Sequence, residues 1–302
     1  MKRIIGLIIC ILVISSFSVG GQKLFTNNIK QTPNVNTFDD DVPIWQIGEK
    51  WIFEMETLYI ETFSSSATIR LDAAMKNLVF ELKTISETQY QLDISGNITG
   101  TFYYNDGAGL VLGGDLTKTE LSGSVKINKA NLAFEEAALV IDSVMILREY
   151  PFPINIPIKI PFTITLSMSH SSPRPVIDFP LFDGKIGLIS EAYLSVNIKV
   201  ESIILKIINI FMPDVPSEIV LDQNLYLPML QYSANAEEIT VIAGTYNGYR
   251  IELFEGAFGS IFYSPEIKNI IKIEVDLEIS GELHIEVYGE LKNEITISKT
   301  II

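Results

Sequence analysis

From Ile271 to Leu291 every odd position is apolar or glycine, and every even position is polar or amphipathic. The apolar set is Ile271, Ile273, Val275, Leu277, Ile279, Gly281, Leu283, Ile285, Val287, Gly289 and Leu291. Between them fall Lys272, Glu274, Asp276, Glu278, Ser280, Glu282, His284, Glu286, Tyr288 and Glu290. A strict period of two marks extended backbone with one face buried and the other wet. At roughly 3.3 Å per residue the stretch would span about 70 Å, far beyond a usual strand. It must therefore fold back at Ser280-Gly281 or bend around a curved sheet. Both glycines fall on the apolar face, where a missing side chain suits a kink or a close backbone approach. An antiparallel sheet with one apolar face follows.

The rest of the chain agrees. Its 302 residues suffice for one large β domain or two ordinary ones, and the 47% hydrophobic content is rich in Ile, Leu and Val, which favour sheets. The predicted class is all-β with at most one or two helices: a strongly curved antiparallel sheet or half-barrel, in one lobe or two. Met1-Lys2-Arg3, the apolar run Ile4 to Ile14 and the small residues Ser15 to Gly21 read as a secretory signal over 1–21, or as an uncleaved anchor. A secreted or extracytoplasmic envelope location is expected. The formal charge is −15, and two units more negative without Lys2 and Arg3. Such a chain is a poor partner for nucleic acid or anionic lipid surfaces. Cys10, the single cysteine, lies inside the signal, so no disulfide is expected beyond it.

Residues 22–42 form a polar linker ending in Asp39-Asp40-Asp41, which lacks the alternating spacing that wraps Ca²⁺. An N-terminal β lobe is expected over 43–170, a Pro/Ser linker over 171–178 and a C-terminal β lobe over 179–302. Strand patterns occupy 51–55, 67–72, 77–85 and 90–98. Asn105-Asp106-Gly107 signals a hairpin between Phe102-Tyr103-Tyr104 and Leu110-Val111-Leu112. Ala130 to Leu147 fits a helical period, and its later half also fits alternation; Ile203 to Met212 is a buried strand or a helix. In Phe152 to Met168 the even positions are apolar, while Pro153, Pro157 and Pro161 sit on the other face. Because proline cannot donate to a ladder, an edge strand or crossing segment is predicted there rather than a central strand.

Nothing in the sequence spells catalysis. The two histidines are His170, in the predicted linker, and His284, on the polar side of the alternating run; no G-x-S-x-G, zinc spacing or phosphate-binding glycine loop occurs. No catalytic residue, metal or cofactor is therefore assigned, although abundant carboxylates leave glycoside chemistry open.

Two segments carry a resemblance. One is Trp45-x-x-Gly48-x-x-Trp51-x-Phe53. The other runs from Glu238 through Ala243-Gly244-Thr245-Tyr246 and Phe262-Tyr263-Ser264-Pro265-Glu266 to Lys272. Together they resemble uncharacterised secreted archaeal and bacterial β proteins, often likened to the half-barrel of lipoprotein-localisation carriers. Pro180-Leu181-Phe182-Asp183-Gly184-Lys185 resembles a further segment of those proteins, with Gly187 where they have tryptophan. The resemblance implies a curved sheet whose hollow face holds acyl or other apolar groups, and no catalytic residues. Trp45, Gly48, Trp51, Gly244, Tyr263 and Pro265 are the motif residues. The expected lining is Ile273, Val275, Leu277, Ile279, Leu283, Ile285 and Val287. The expected function is a non-enzymatic binder or carrier of hydrophobic groups. Its alternatives are a surface structural or adhesion module without a ligand and, further off, a glycoside-active enzyme. The partner would be a lipid or another surface protein.

Overall fold

The computed structural model describes residues 42–62, 68–105, 111–149, 158–170, 175, 177–189, 191–203, 206, 209–210, 218–227, 229–253, 258–279 and 283–295. The predicted signal, all but the last residue of the polar linker, Pro153 and Pro157 lie outside them. Fourteen strands make one antiparallel sheet. The first six are β1 (Lys50–Thr62), β2 (Thr68–Ile85), β3 (Gln89–Asn105), β4 (Val111–Asn128), β5 (Phe134–Glu149) and β6 (Ile158–His170). There follow β7 (Lys185–Ile189), β8 (Ala192–Ser202), β9 (Glu218–Leu227) and β10 (Leu230–Val241). The last four are β11 (Gly244–Leu253), β12 (Phe258–Ser264), β13 (Asn269–Ile279) and β14 (Leu283–Ile295). The strand order is β7-β10-β11-β12-β13-β14-β1-β2-β3-β4-β5-β6-β8-β9. Strands from 43–170 and from 179–302 thus share this sheet, with β1 hydrogen-bonded to both β2 and β14.

That order begins at β7 and ends at β9, yet only Ser190 and Glu191 separate β7 from β8. Three peptide steps reach at most about 11 Å. Only Pro228 and Met229 separate β9 from β10, and the register runs through the gap: Ile189 faces Leu230, and Ala192, three residues on, faces Leu227. The pairs β7–β8 and β9–β10 are therefore two arms of one long hairpin. One arm joins β6 through β8, and the other joins β11 through β10. The sheet must curl until its two ends lie side by side, turning one face inward.

The inward face is the apolar one. Trp51, Phe53, Met55, Leu58 and Ile60 of β1 are buried, as are Met75, Leu78, Phe80 and Leu82 of β2, while Glu56, Lys76 and Lys83 point out. Each fully buried side chain of this size contributes about 1.5–3 kcal/mol by leaving water. Bulges bend the long strands where curvature is needed. In β2 the register shifts between Lys76 and Val79 around Asn77 (φ 52°); in β4 it shifts between Thr117 and Glu120 around Lys118 (φ 52°). The separate strand patterns at 67–72 and 77–85 are accordingly one bulged strand.

Several expectations are corrected. Ala130–Leu147 is not a helix: β5 occupies most of it, and its Phe134, Ala137, Leu139 and Ile141 are buried on the inner face. Those residues satisfy both periods, and two neighbouring ladders decide between them. Helical backbone does occur at Ile203, Lys206, Asn209 and Ile210. The strand β6 lies between β5 and β8, so it is not an edge throughout. Its β8 ladder starts at Phe162, however, so among the described residues Ile158 to Pro161 pair with β5 alone, where a proline interrupts no second ladder. The hairpin read at Asn105-Asp106-Gly107 is present as the antiparallel pair β3–β4, with Asn105 facing Val111. The long alternating run folds back: Ile279 faces Leu283 and Leu277 faces Ile285.

One end of the curled sheet is filled by the residues preceding β1. Trp45 packs against Trp51 (5.0 Å between ring centroids) and Tyr90 (5.1 Å), and its Nε1 donates to the Lys268 carbonyl at 2.9 Å. Gly48 makes the intervening turn with φ 91°, which glycine adopts freely, and its N–H donates to the Leu82 carbonyl at 2.8 Å. Replacing Trp45 by alanine is expected to cost about 3–5 kcal/mol, as for other buried tryptophans. Urea unfolding of Trp45→Ala followed by circular dichroism measures it; a loss below about 1 kcal/mol, the surface range, would refute the assignment of Trp45 as the end's main packing element.

Candidate functional site

The predicted lining residues sit on the inner face of β13 and β14 in facing pairs. Val275 faces Val287, and Ile273 faces Gly289, over which Met55 of β1 lies. Ile273, Val275 and Val287 are packed core, exposed by only 1%, 7% and 1%. Leu277 and Ile285 pair in the next row and Ile279 and Leu283 in the one beyond; their side chains are outside the described set.

Across the sheet the inner face changes character. Near the Trp45 end the inward side chains of β3 to β6 are covered, among them Leu92, Val125, Leu139 and Leu166. Farther along, Phe102, Leu116, Met145, Ile160 and Phe162 are apolar, inward and only half-buried. Register gathers them. Leu116 lies beside Gly100 and Met145, Met145 beside Ile160, and Phe102 beside Leu71 and Gly114. Gly100 and Ala73, facing each other, leave this wall thin. Such a surface, one end of a covered core left partly open and lined by flexible and aromatic side chains, can take up an apolar chain or ring.

The motif residues lie elsewhere, at the filled end, and converge there. Trp45, packed on Trp51, touches the turn after Tyr263-Ser264-Pro265 through Lys268, and Tyr263 packs edge-on to Phe179 at 5.3 Å. Pro265 begins that turn, and Gly244 starts β11 with φ 149°. Tyr232 is fully buried over Gly187, where a Cβ would lie 2.2 Å from the ring. The tyrosine thus occupies the space that a tryptophan at 187 would require. Its hydroxyl accepts from the Asp178 N–H at 3.2 Å and faces the Asp178 carbonyl at 3.4 Å. Beside it, buried Lys185 donates to the carbonyls of Asp178 and Pro180 and pairs with the Asp178 carboxylate at 3.1 Å. Burial holds the Lys185 amine below its usual pKa against the pull of Asp178, and raises the carboxyl of Glu49 and the phenol of Tyr90. Glu49 and Tyr90 accept from the backbone N–H groups of Gln46 and Trp45, and Lys185 is tied to Asp178 and Pro180, so each of these three side chains anchors main chain at the filled end.

The outer face carries charge. His284 contacts Asp276 at 2.9 Å and stacks beside Tyr59 at 5.4 Å; Tyr59 donates to Glu61, which Arg70 also binds. His170 closes β6 against Phe134 rather than lying in a linker. A depression of about 520 Å³ on the outer face spans β2 to β5, bordered by Glu81, Lys83, Gln91, Asp93, Ser95 and Ser124. Its size suits a small ligand, but it is shallow, with Val79, Ile94 and Ala138 among its polar lining, and it touches none of the predicted lining residues. Among the described residues no His, Cys, Asp and Glu side chains gather in threes as a metal site requires, and no helix is long and apolar enough to cross a membrane.

The fold and its inner face define an all-β protein built on one curved antiparallel sheet. No protein family, no curated protein and no solved structure matches the chain.

The buried Tyr232 makes stability depend on alkali. Burial pushes its phenol up to about 12, above the ordinary value of 10. A folded-state pKa raised in this way gives stability that is complete below pH 10 and lost as pH climbs to about 12, because the unfolded chain releases the proton first. Two units correspond to roughly 2–3 kcal/mol. Urea midpoints from pH 9 to pH 12 should fall for the parent protein and fall less steeply for Tyr232→Phe. Parallel slopes would show that Tyr232 does not carry the effect.

Proposed function

We propose that this protein is a non-enzymatic, extracytoplasmic binder or carrier of hydrophobic groups, which occupy the partly open inner face along β3 to β6. The observation that supports it most is the half-burial of Phe102, Leu116, Met145, Ile160 and Phe162 on a face that is otherwise covered. Water contact with five large apolar side chains costs free energy that a lipid chain would recover. The leader-like N-terminus and the acidic composition support work outside the cytoplasm on uncharged ligands. The resemblance to proteins likened to lipoprotein carriers points the same way.

A second reading, a surface structural module with no ligand, is favoured by the complete packing of Ile273, Val275 and Val287, three of the residues predicted to line a site. Binding of diphenylhexatriene, a fluorescent hydrocarbon, separates the two. The carrier reading expects saturable binding by the protein starting at Gln22, and at least tenfold weaker binding by Met145→Glu, since a carboxylate on this wall opposes an apolar occupant. The melting temperature of that variant should move little, because Met145 is not enclosed. No binding, or equal binding by the variant, would move the assignment to the structural module.

A further inference from the structure

At the floor of the half-open region the inner face is interrupted by hydroxyls. The transverse row there runs Met55, Met75, Ile98, Thr119, Ser143, Phe162, Ser202, each beside the next. Thr119 and Ser143 are buried, exposed by 3% and 5%, and their oxygens lie 2.5 Å apart. Thr119 is in phase with the buried Leu121, Val125 and Ile127 of β4, and the bulge falls just before it: Lys118 and Thr119 together oppose Ser143, with Lys118 held at φ 52°, a conformation unusual for a residue with a side chain.

Proton counting singles the pair out. Two hydroxyls bring two donor protons, and their mutual bond uses one. The other has no acceptor among the described residues. Ser202 differs, since it donates to the Pro161 carbonyl at 3.1 Å. A buried O–H without an acceptor is costly, and each one needs a reason. Around this row the described inner face carries no lysine, arginine or histidine, so nothing there would balance a carboxylate or a phosphate.

Resting on the carrier reading above, we infer that Thr119 and Ser143 form a polar floor that donates one hydrogen bond to a neutral acceptor oxygen of the bound lipid. The ligand class is then an uncharged lipid bearing a carbonyl, ester or ether oxygen, such as an acylglycerol ester or a long-chain ketone, rather than a plain hydrocarbon or a fatty-acid anion.

Two probes test this, laurdan, a long-chain naphthyl ketone whose emission reports hydrogen bonding to its carbonyl, and diphenylhexatriene, which has no acceptor oxygen. The parent protein should bind both. Thr119→Val/Ser143→Ala removes both partners of the pair together, which costs the fold little. It should leave diphenylhexatriene affinity unchanged, weaken laurdan about tenfold, the value of one hydrogen bond, and shift bound laurdan to the blue. Should the double variant not fold, Thr119→Val/Ser143→Cys, which keeps more of the volume and leaves only a weak S–H donor, is read with the same two probes against the same outcomes. Unchanged laurdan affinity and emission, with both dyes bound, would overturn the polar floor and leave the carrier reading standing. Failure of the parent protein to bind either dye would overturn both.

Discussion

The whole architecture depends on a short tether. Two residues join β7 to β8 and two join β9 to β10, although these strands belong to opposite ends of the sheet order. No flat or gently twisted arrangement of fourteen strands satisfies that length. The sheet has to curl, and the curl decides which residues are inside. Once one face is enclosed, the period of two along each strand sorts apolar side chains inward and charges outward. The bulges at Asn77 and Lys118 then follow as the means by which long strands meet the imposed curvature.

Enclosure leaves an end to be stopped, and the chain stops it with aromatic rings brought from far apart. Trp45 precedes the first strand, Tyr263 lies in β12, Lys268 belongs to the turn before β13, and Phe179 and Tyr232 come from the region of the long hairpin. The Trp45 indole and the Tyr232 hydroxyl bond to backbone groups at the edge of this apolar plug. Motif residues in such a place meet a packing demand.

Much of this was legible in the chain. Alternation over 271–291 revealed the sheet, because a period of two admits few other structures, and of its two readings, a fold-back or a bend, the fold-back is the one realised. It could not reveal which part of the inner face is open. Val275 and Met145 both alternate correctly, and only the order of strands covers one and leaves the other half-exposed. The helical reading of Ala130–Leu147 failed because alanines and aliphatics spaced for both periods leave the decision to the flanking strands β4 and β6. The inward turn of Leu116 was invisible for a related reason. It lies out of phase with Leu121 and Val125 because of one extra backbone residue at Lys118, and lysine is not a type that announces a bulge. Pro161 shows the opposite case, a residue whose chemistry correctly marked a locally unpaired edge inside a strand that is central elsewhere.

The pairing of β1 with β14 joins Lys50 to Ile295 across nearly the whole described chain. The first strand therefore waits for the last before its second ladder can form, and the loop-closure entropy of that contact opposes it until the intervening hairpins have gathered. Sheets dominated by such distant pairings fold slowly, with strand edges exposed meanwhile. A chain of this topology passes through an open ribbon before the β1–β14 ladder forms. The same lateness keeps its apolar face accessible until that pairing is made.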